Sequence, residues 1–91
     1  MFVTIAIHHP KPEHAEDFLA FMKRVEGAVA GADGLIEFTS WREAGGRLVG
    51  YARWDSAEAF QAAMPRVLSL SHERREEWSE WPDDLLALSP A

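Results

Sequence analysis

The chain is expected to fold as an α+β domain of the ferredoxin-like βαββαβ kind, an antiparallel sheet with its helices on one face. Two observations predict this. Apolar residues recur at a spacing of two, then of three and four, then of two again, in the order strand, helix, strand, strand, helix. A strand that ends in tryptophan, Leu48 to Trp54, also runs straight into Asp55-Ser56-Ala57-Glu58, where Asp55 with Glu58 reads as a capping box that opens a helix. Ninety-one residues make a single domain over 1–91, because a chain this short cannot divide its core.

Phe2 to His8 places Val3, Ile5 and Ile7 on one parity and Phe2, Thr4, Ala6 and His8 on the other, so both faces of this first strand are partly covered. His9-Pro10-Lys11-Pro12 is expected to stop pairing, since proline has no N–H to donate. From Glu13 to about Ala30, Ala15, Phe18, Phe21, Met22, Val25, Ala28 and Val29 form one helical stripe, with Gly31 or Gly34 as the exit. Leu35 to Arg42 and 47–54 read as two strands joined through Glu43-Ala44-Gly45-Gly46 into an antiparallel hairpin.

After Trp54 a helix carrying Ala59, Phe60, Ala63 and Met64 should end or kink at Pro65. Arg66 to about Trp81 then reads as a resumed helix, with Val67, Leu70, Arg74, Trp78 and Trp81 near one face, and Pro82 stops it. Asp84 to Leu88 is either a short final strand or an apolar tail that docks on a neighbour.

Composition excludes several functions. A formal charge of −6 gives no basic surface for nucleic acid or for anionic membranes. The absence of cysteine removes disulfides, thiolate metal sites and cysteine nucleophiles, and agrees with a cytoplasmic location. The N-terminus reaches His8 without a basic leader, and no run approaches the roughly 18 apolar residues of a membrane span. Four tryptophans and 47% apolar residues are more than a small monomer easily hides, which points to a homodimer. His8 and His9 are adjacent on a strand and project to opposite faces, so they are not expected to share a metal ion.

Arg53-Trp54-Asp55-Ser56-Ala57-Glu58-Ala59-Phe60 resembles the strand–helix junction of the antibiotic biosynthesis monooxygenase superfamily. That resemblance implies a dimeric α/β barrel, in which the open sheet faces of two subunits pack together. It also implies one of several activities. For the haem-degrading branch it would require a histidine near the position of His72, a second tryptophan near Ala63 and an asparagine on the first strand. The last two are missing, so haem degradation is not expected. For the cofactor-independent branch it implies a monooxygenase acting on a small phenol or quinone-type aromatic held between sheet and helices, with no metal and no bound cofactor.

That chemistry needs a base and a holder for the anion. His72 and Arg75 are the catalytic candidates, and Trp54, Tyr51, Trp78 and Arg74 the substrate-binding ones, since an imidazole can take a phenolic proton near neutrality and an arginine can hold the oxyanion. Each also has a plainer reading. Trp54 serves as core packing at a strand end, His72 as a surface imidazole, Glu73 to Glu77 as a solvated helical face, and Trp78 and Trp81 as core or dimer contacts. The competing function is a non-catalytic small-molecule-binding or structural dimer of the same fold.

Overall fold

The computed structural model describes residues 1–91 as strands β1 (Phe2–Pro10), β2 (Leu35–Arg42), β3 (Leu48–Trp54) and β4 (Ser79–Leu88), with helices α1 (Ala15–Val29) and α2 (Ala57–Leu68). The strands form one sheet in the order β2-β3-β1-β4, and every neighbouring pair is antiparallel. This is the expected ferredoxin-like α+β arrangement. Asp84–Leu88 belongs to a true strand, and β4 pairs Val3 with Leu88 through Ile7 with Asp84.

Helix α1 follows a single 3-10 turn, Pro12–His14, that occupies the residues expected to be its first turn. Its buried residues Phe18, Met22, Val25 and Val29 are spaced by four, three and four, which puts them on one stripe against the sheet. Gly31 takes φ 77° just after the helix, a conformation that costs a side-chain-bearing residue free energy.

The helix side of the sheet holds two apolar centres. Phe18, Met22 and Leu48 meet at one end, and Ala52, Trp54 and Ala63 at the other, with Phe2, Phe38 and Phe60 packed around the latter. The opposite face carries Ile5, Ile7, Val49, Tyr51, Trp41 and Leu86 by strand parity and register, and no element of the chain covers it.

The chain departs from its sequence-based outline in four places, three of them beyond β3. The cap of α2 is Ser56, whose Oγ accepts from the Ala59 amide at 3.1 Å, while the Asp55 amide donates to the Gly34 carbonyl at 2.7 Å. Glu58 is therefore one residue too early for the capping box. Pro65 does not end α2, which runs on to Leu68. Its ring lies on an exposed side of the helix, and the ladder resumes beyond it where the Ser69 amide donates to the Pro65 carbonyl.

The expected helix from Arg66 to Trp81 is also absent. The Ser69 and Ser71 hydroxyls donate back to the carbonyls of Arg66 and Leu68 at 2.7 and 2.8 Å, local bonds that compete with helix propagation. Two 3-10 turns, Ser71–Glu73 and Glu76–Trp78, follow, and Trp81 and Pro82 lie in β4. Proline is tolerated there because β4 is an edge strand. Finally, β1 continues two residues past His8, to Pro10. Register shifts after Ile7 and after His9 carry its pairing with β4 out to Ser79.

Candidate functional site

The loss of the late helix rearranges the residues expected to form a site. In an extended backbone successive side chains project oppositely, and Arg74 and Arg75 are both extended, with φ,ψ of −92°,132° and −102°,139°. Arg74 turns inward. Arg75 is exposed, with only Glu77 nearby at 3.7 Å, and His72 is exposed on its 3-10 turn.

Arg74 meets Asp83 of β4 in a two-point clamp, Nη1 to Oδ2 at 2.6 Å and Nη2 to Oδ1 at 2.8 Å, and Nη2 also donates to the Ser79 hydroxyl at 3.4 Å. Its Cζ stands 4.7 Å from the centre of the Phe18 ring, within cation–π range. Asp83 Oδ1 also faces His8, whose Nδ1 lies 3.0 Å away, although not in line for a well-formed hydrogen bond. The imidazole packs on Phe18 with 4.7 Å between ring centres, and His8 is 9% exposed. Trp78 closes the cluster from the outside, 6.2 Å from Phe18 between ring centres. The Trp78 carbonyl accepts from the Lys11 amide at 2.8 Å, which ties this turn to the end of β1.

The electrostatics of the cluster centre on Asp83. Burial pushes its carboxyl up, but His8 and Arg74 outweigh burial and hold it well below the usual carboxylate range. Asp83 is therefore an anion held by two partners, Arg74 at both oxygens and His8 beside Oδ1. Arg74 has five N–H donors, and the contacts above leave its Nε–H and one Nη1–H free. The arrangement offers a base, a cation with unused donors and an aromatic wall within one cluster.

Of the six residues expected at a site, the structure brings Arg74 and Trp78 together on Phe18. His72 and Arg75 face away. Trp54 sits six residues along β3 from Leu48, the partner of His8, so roughly 20 Å of strand separates it from the cluster. There it is 1% exposed and packed on Phe60, and its indole N–H donates to the Thr4 hydroxyl at 3.2 Å. Tyr51, opposite Ile5, belongs to the open face of the sheet.

Three residues escaped the sequence reading. His8 was discounted as half of an unworkable metal pair, and indeed His9 goes to the other face, where Nε2 meets Asp84 at 2.8 Å and the ring packs on Trp81. The parity that put His8 with Phe2, Thr4 and Ala6 on the helix side was the available signal. Phe18 read only as helix stripe. Asp83 carried no signal, because it falls between the helix expected to stop at Pro82 and the segment Asp84 to Leu88, which read equally as strand or docking tail.

Two open grooves flank α1. One of about 230 Å³ runs along Asp17, Ala20, Phe21 and Arg24 and reaches Glu73 and Trp78, the outer wall of the cluster. A broader depression of about 610 Å³ lies over Ala20, Gly27, Ala28 and Leu70, and the cations at its rim, Lys23 and Arg24, are already paired with Glu26 and Glu73. The smaller groove is the one that reaches the cluster, through Trp78.

The fold and this sheet–helix cluster define a ferredoxin-like α+β domain whose polar centre is lodged between sheet and helix. The family model for antibiotic biosynthesis monooxygenases matches residues 1–65, and the chain belongs to that family. The match stops short of Arg74, Trp78 and Asp83. No protein of curated function matches the sequence.

Among solved structures, Rv0793 from Mycobacterium tuberculosis is similar with a TM-score of 0.87 at 22% identity, over 99% of this chain and 94% of that one. A monooxygenase from the gene ActVA-Orf6 of Streptomyces coelicolor, in complex with nanaomycin D, gives 0.78 at 19% identity over 99% and 87%. A variant of MhuD with two manganese protoporphyrin IX molecules bound per active site gives 0.78 at 20% identity over 99% and 94%. At such identities the likeness carries the fold. No helix of the chain is long and apolar enough to cross a membrane.

Proposed function

We propose that this chain is a cofactor-independent monooxygenase acting on a small phenol or quinone-type aromatic, which approaches the cluster through the groove that Trp78 shares with Phe21. The observation that supports it is the juxtaposition of His8, Arg74 and Asp83 beneath an aromatic wall. The sequence candidates His72 and Arg75 give way in this reading to His8 and Arg74, because the former pair is exposed.

The reaction balances without a further reductant. A phenol with a ring C–H para to its hydroxyl plus O2 gives a para-quinone plus one water. His8 takes the phenolic proton, and the phenolate then supplies electrons to O2 at the para carbon. A C–O bond forms, the resulting peroxide takes a proton, the ring C–H proton leaves, and the O–O bond breaks to release water. The free donors of Arg74 hold the oxyanion in the meantime. All four electrons come from the substrate.

A second reading rests on a specific observation: Arg74 and His8 already share Asp83, which is how a purely structural ion-pair cluster is satisfied. In that case the protein is a non-catalytic binder or structural dimer.

The two readings separate with 1-naphthol as probe. The monooxygenase reading expects oxygen uptake with appearance of 1,4-naphthoquinone, reduced by about 10²- to 10⁴-fold in His8→Gln and Arg74→Ala. Saturable binding of 1-naphthol without oxygen uptake favours the binder, and no binding favours the structural dimer. Adding haem and watching for a Soret band that His72→Ala abolishes tests porphyrin binding independently.

A further inference from the structure

Asp83 is the side chain that makes polar contacts to both His8 and Arg74, and its two oxygens are not equivalent. Oδ2 is engaged by Arg74 alone, whereas Oδ1 lies between Arg74 Nη2 at 2.8 Å and His8 Nδ1 at 3.0 Å. We propose that Asp83 is the positioning residue of this site: it fixes the proton of neutral His8 on Nδ1, leaves Nε2 as the basic atom, and holds Arg74 flat on Phe18. The inference rests on the functional reading above for what the base does, but not for the tautomer itself.

The physical reason is repulsion as much as attraction. An unprotonated Nδ1 would hold its lone pair, with its partial negative charge, beside an anionic oxygen 3.0 Å away, in a site with little water to screen the contact. A proton on Nδ1 converts that repulsion into attraction even where the N–H is not in line with the oxygen. Asp83 stays ionised to do this because Arg74 grips it at two points, so the arginine acts on the base through the carboxylate.

The placement also follows from the strands. His8 and His9 are successive on β1, and Asp83 and Asp84 are successive on β4, so each face of the sheet receives one imidazole–carboxylate pair. On the open face His9 presents Nε2 to Asp84 at 2.8 Å. On the helix face His8 presents Nδ1. The two pairs therefore use opposite ring nitrogens, and only the helix-side pair keeps Nε2 free of a carboxylate.

The test is nitrogen–proton correlation NMR of the four histidines on the intact protein at about pH 9, above the ordinary imidazole range. His8 signals are identified by their loss in His8→Gln. The expected result is a proton on Nδ1 of His8 in the unmodified chain. In Asp83→Asn the amide oxygen stays with Arg74 Nη1 at the Oδ2 position, the NH2 takes the Oδ1 position facing His8 at the expense of the Nη2 contact, and the proton moves to Nε2. Asp84→Asn should alter the signals of His9 and leave those of His8 unchanged.

A proton found on Nε2 of His8 in the unmodified protein overturns the proposal without recourse to any variant. So does an unchanged tautomer in folded Asp83→Asn, or an equal response of His8 to Asp84→Asn. With 1-naphthol as substrate, Asp83→Asn should lower kcat by about 100-fold or more with KM within about threefold, the mark of a wrongly placed proton rather than lost binding. If 1-naphthol is not oxidised at all while Nδ1 carries the proton, the monooxygenase reading fails and the positioning role of Asp83 stands.

Discussion

At the scale of single residues, the two ends of the helix-side core do different work. Trp54 is wholly enclosed and has its one polar atom satisfied by Thr4, so it is a structural anchor. Trp54→Ala should cost about 3 to 5 kcal/mol in urea denaturation. Thr4→Val, which strands the indole N–H, should cost about 1 to 3 kcal/mol. Asp83 makes a pH-dependent contribution whose sign follows from its depressed carboxyl. A group held lower in the folded chain than its ordinary 3.8 stabilises fully above about pH 5, and that stability is lost as pH falls through 3.8 toward the folded value. The stability gap between the unmodified chain and Asp83→Asn should therefore be widest near neutrality and shrink between about pH 5 and 2, read by denaturant titration at each pH. A gap that stays constant with pH would mean the carboxylate charge is not what Asp83 contributes.

At the scale of elements, the junction after β3 is held from outside as well as by its own cap. Gly34 takes φ 82° and its carbonyl receives the Asp55 amide, and a Cβ placed on Gly34 would come within 2.5 Å of the Ala59 Cβ. Gly34→Ala is expected to destabilise by about 2 to 5 kcal/mol, combining the left-handed backbone cost with forced separation of α2 from the turn before β2. Pro65→Ala should act the other way, gaining up to about 3 kcal/mol, because the ring is exposed and only interrupts the helix ladder. These two positions also mark what could be read from the sequence. Strand parity and helical stripes located β1, α1, β2, β3 and the start of α2, since each buries one face along a continuous run. Beyond Pro65 the same rules misled: Arg74, Trp78 and Trp81 match a helical stripe, but Ser69 and Ser71 divert their hydroxyls to nearby carbonyls and the chain becomes turns and an edge strand. With the late helix went the expected position of the site. An edge strand with a proline and two aspartates has no periodicity strong enough to announce itself, so Asp83 could be found only in three dimensions.

At the scale of the whole molecule, the sheet has one face clothed by α1 and α2 and one left open. Trp41 is 60% exposed and Leu86 46% exposed, and both lie on the open face with Ile5, Ile7, Val49 and Tyr51. A continuous apolar sheet face on so small a domain favours pairing with a second copy, face to face, as the homodimer expected of this family. Ile5 is central to that surface, since it lies on β1 between Tyr51 of β3 and Leu86 of β4. Size-exclusion chromatography with light scattering should give twice the chain's 10.2 kDa for the unmodified protein and the single-chain mass for Ile5→Glu. Far-ultraviolet circular dichroism of the variant should remain that of a folded α+β chain, because the new carboxylate is directed away from both apolar centres beneath the helices. A carboxylate buried in a dry interface would have to be protonated or left unpaired, so the variant should regain the dimer mass only toward acidic pH. A single-chain mass for the unmodified protein would remove the dimer. It would also leave the His9–Asp84 pair exposed on an open surface instead of at the rim of a subunit contact.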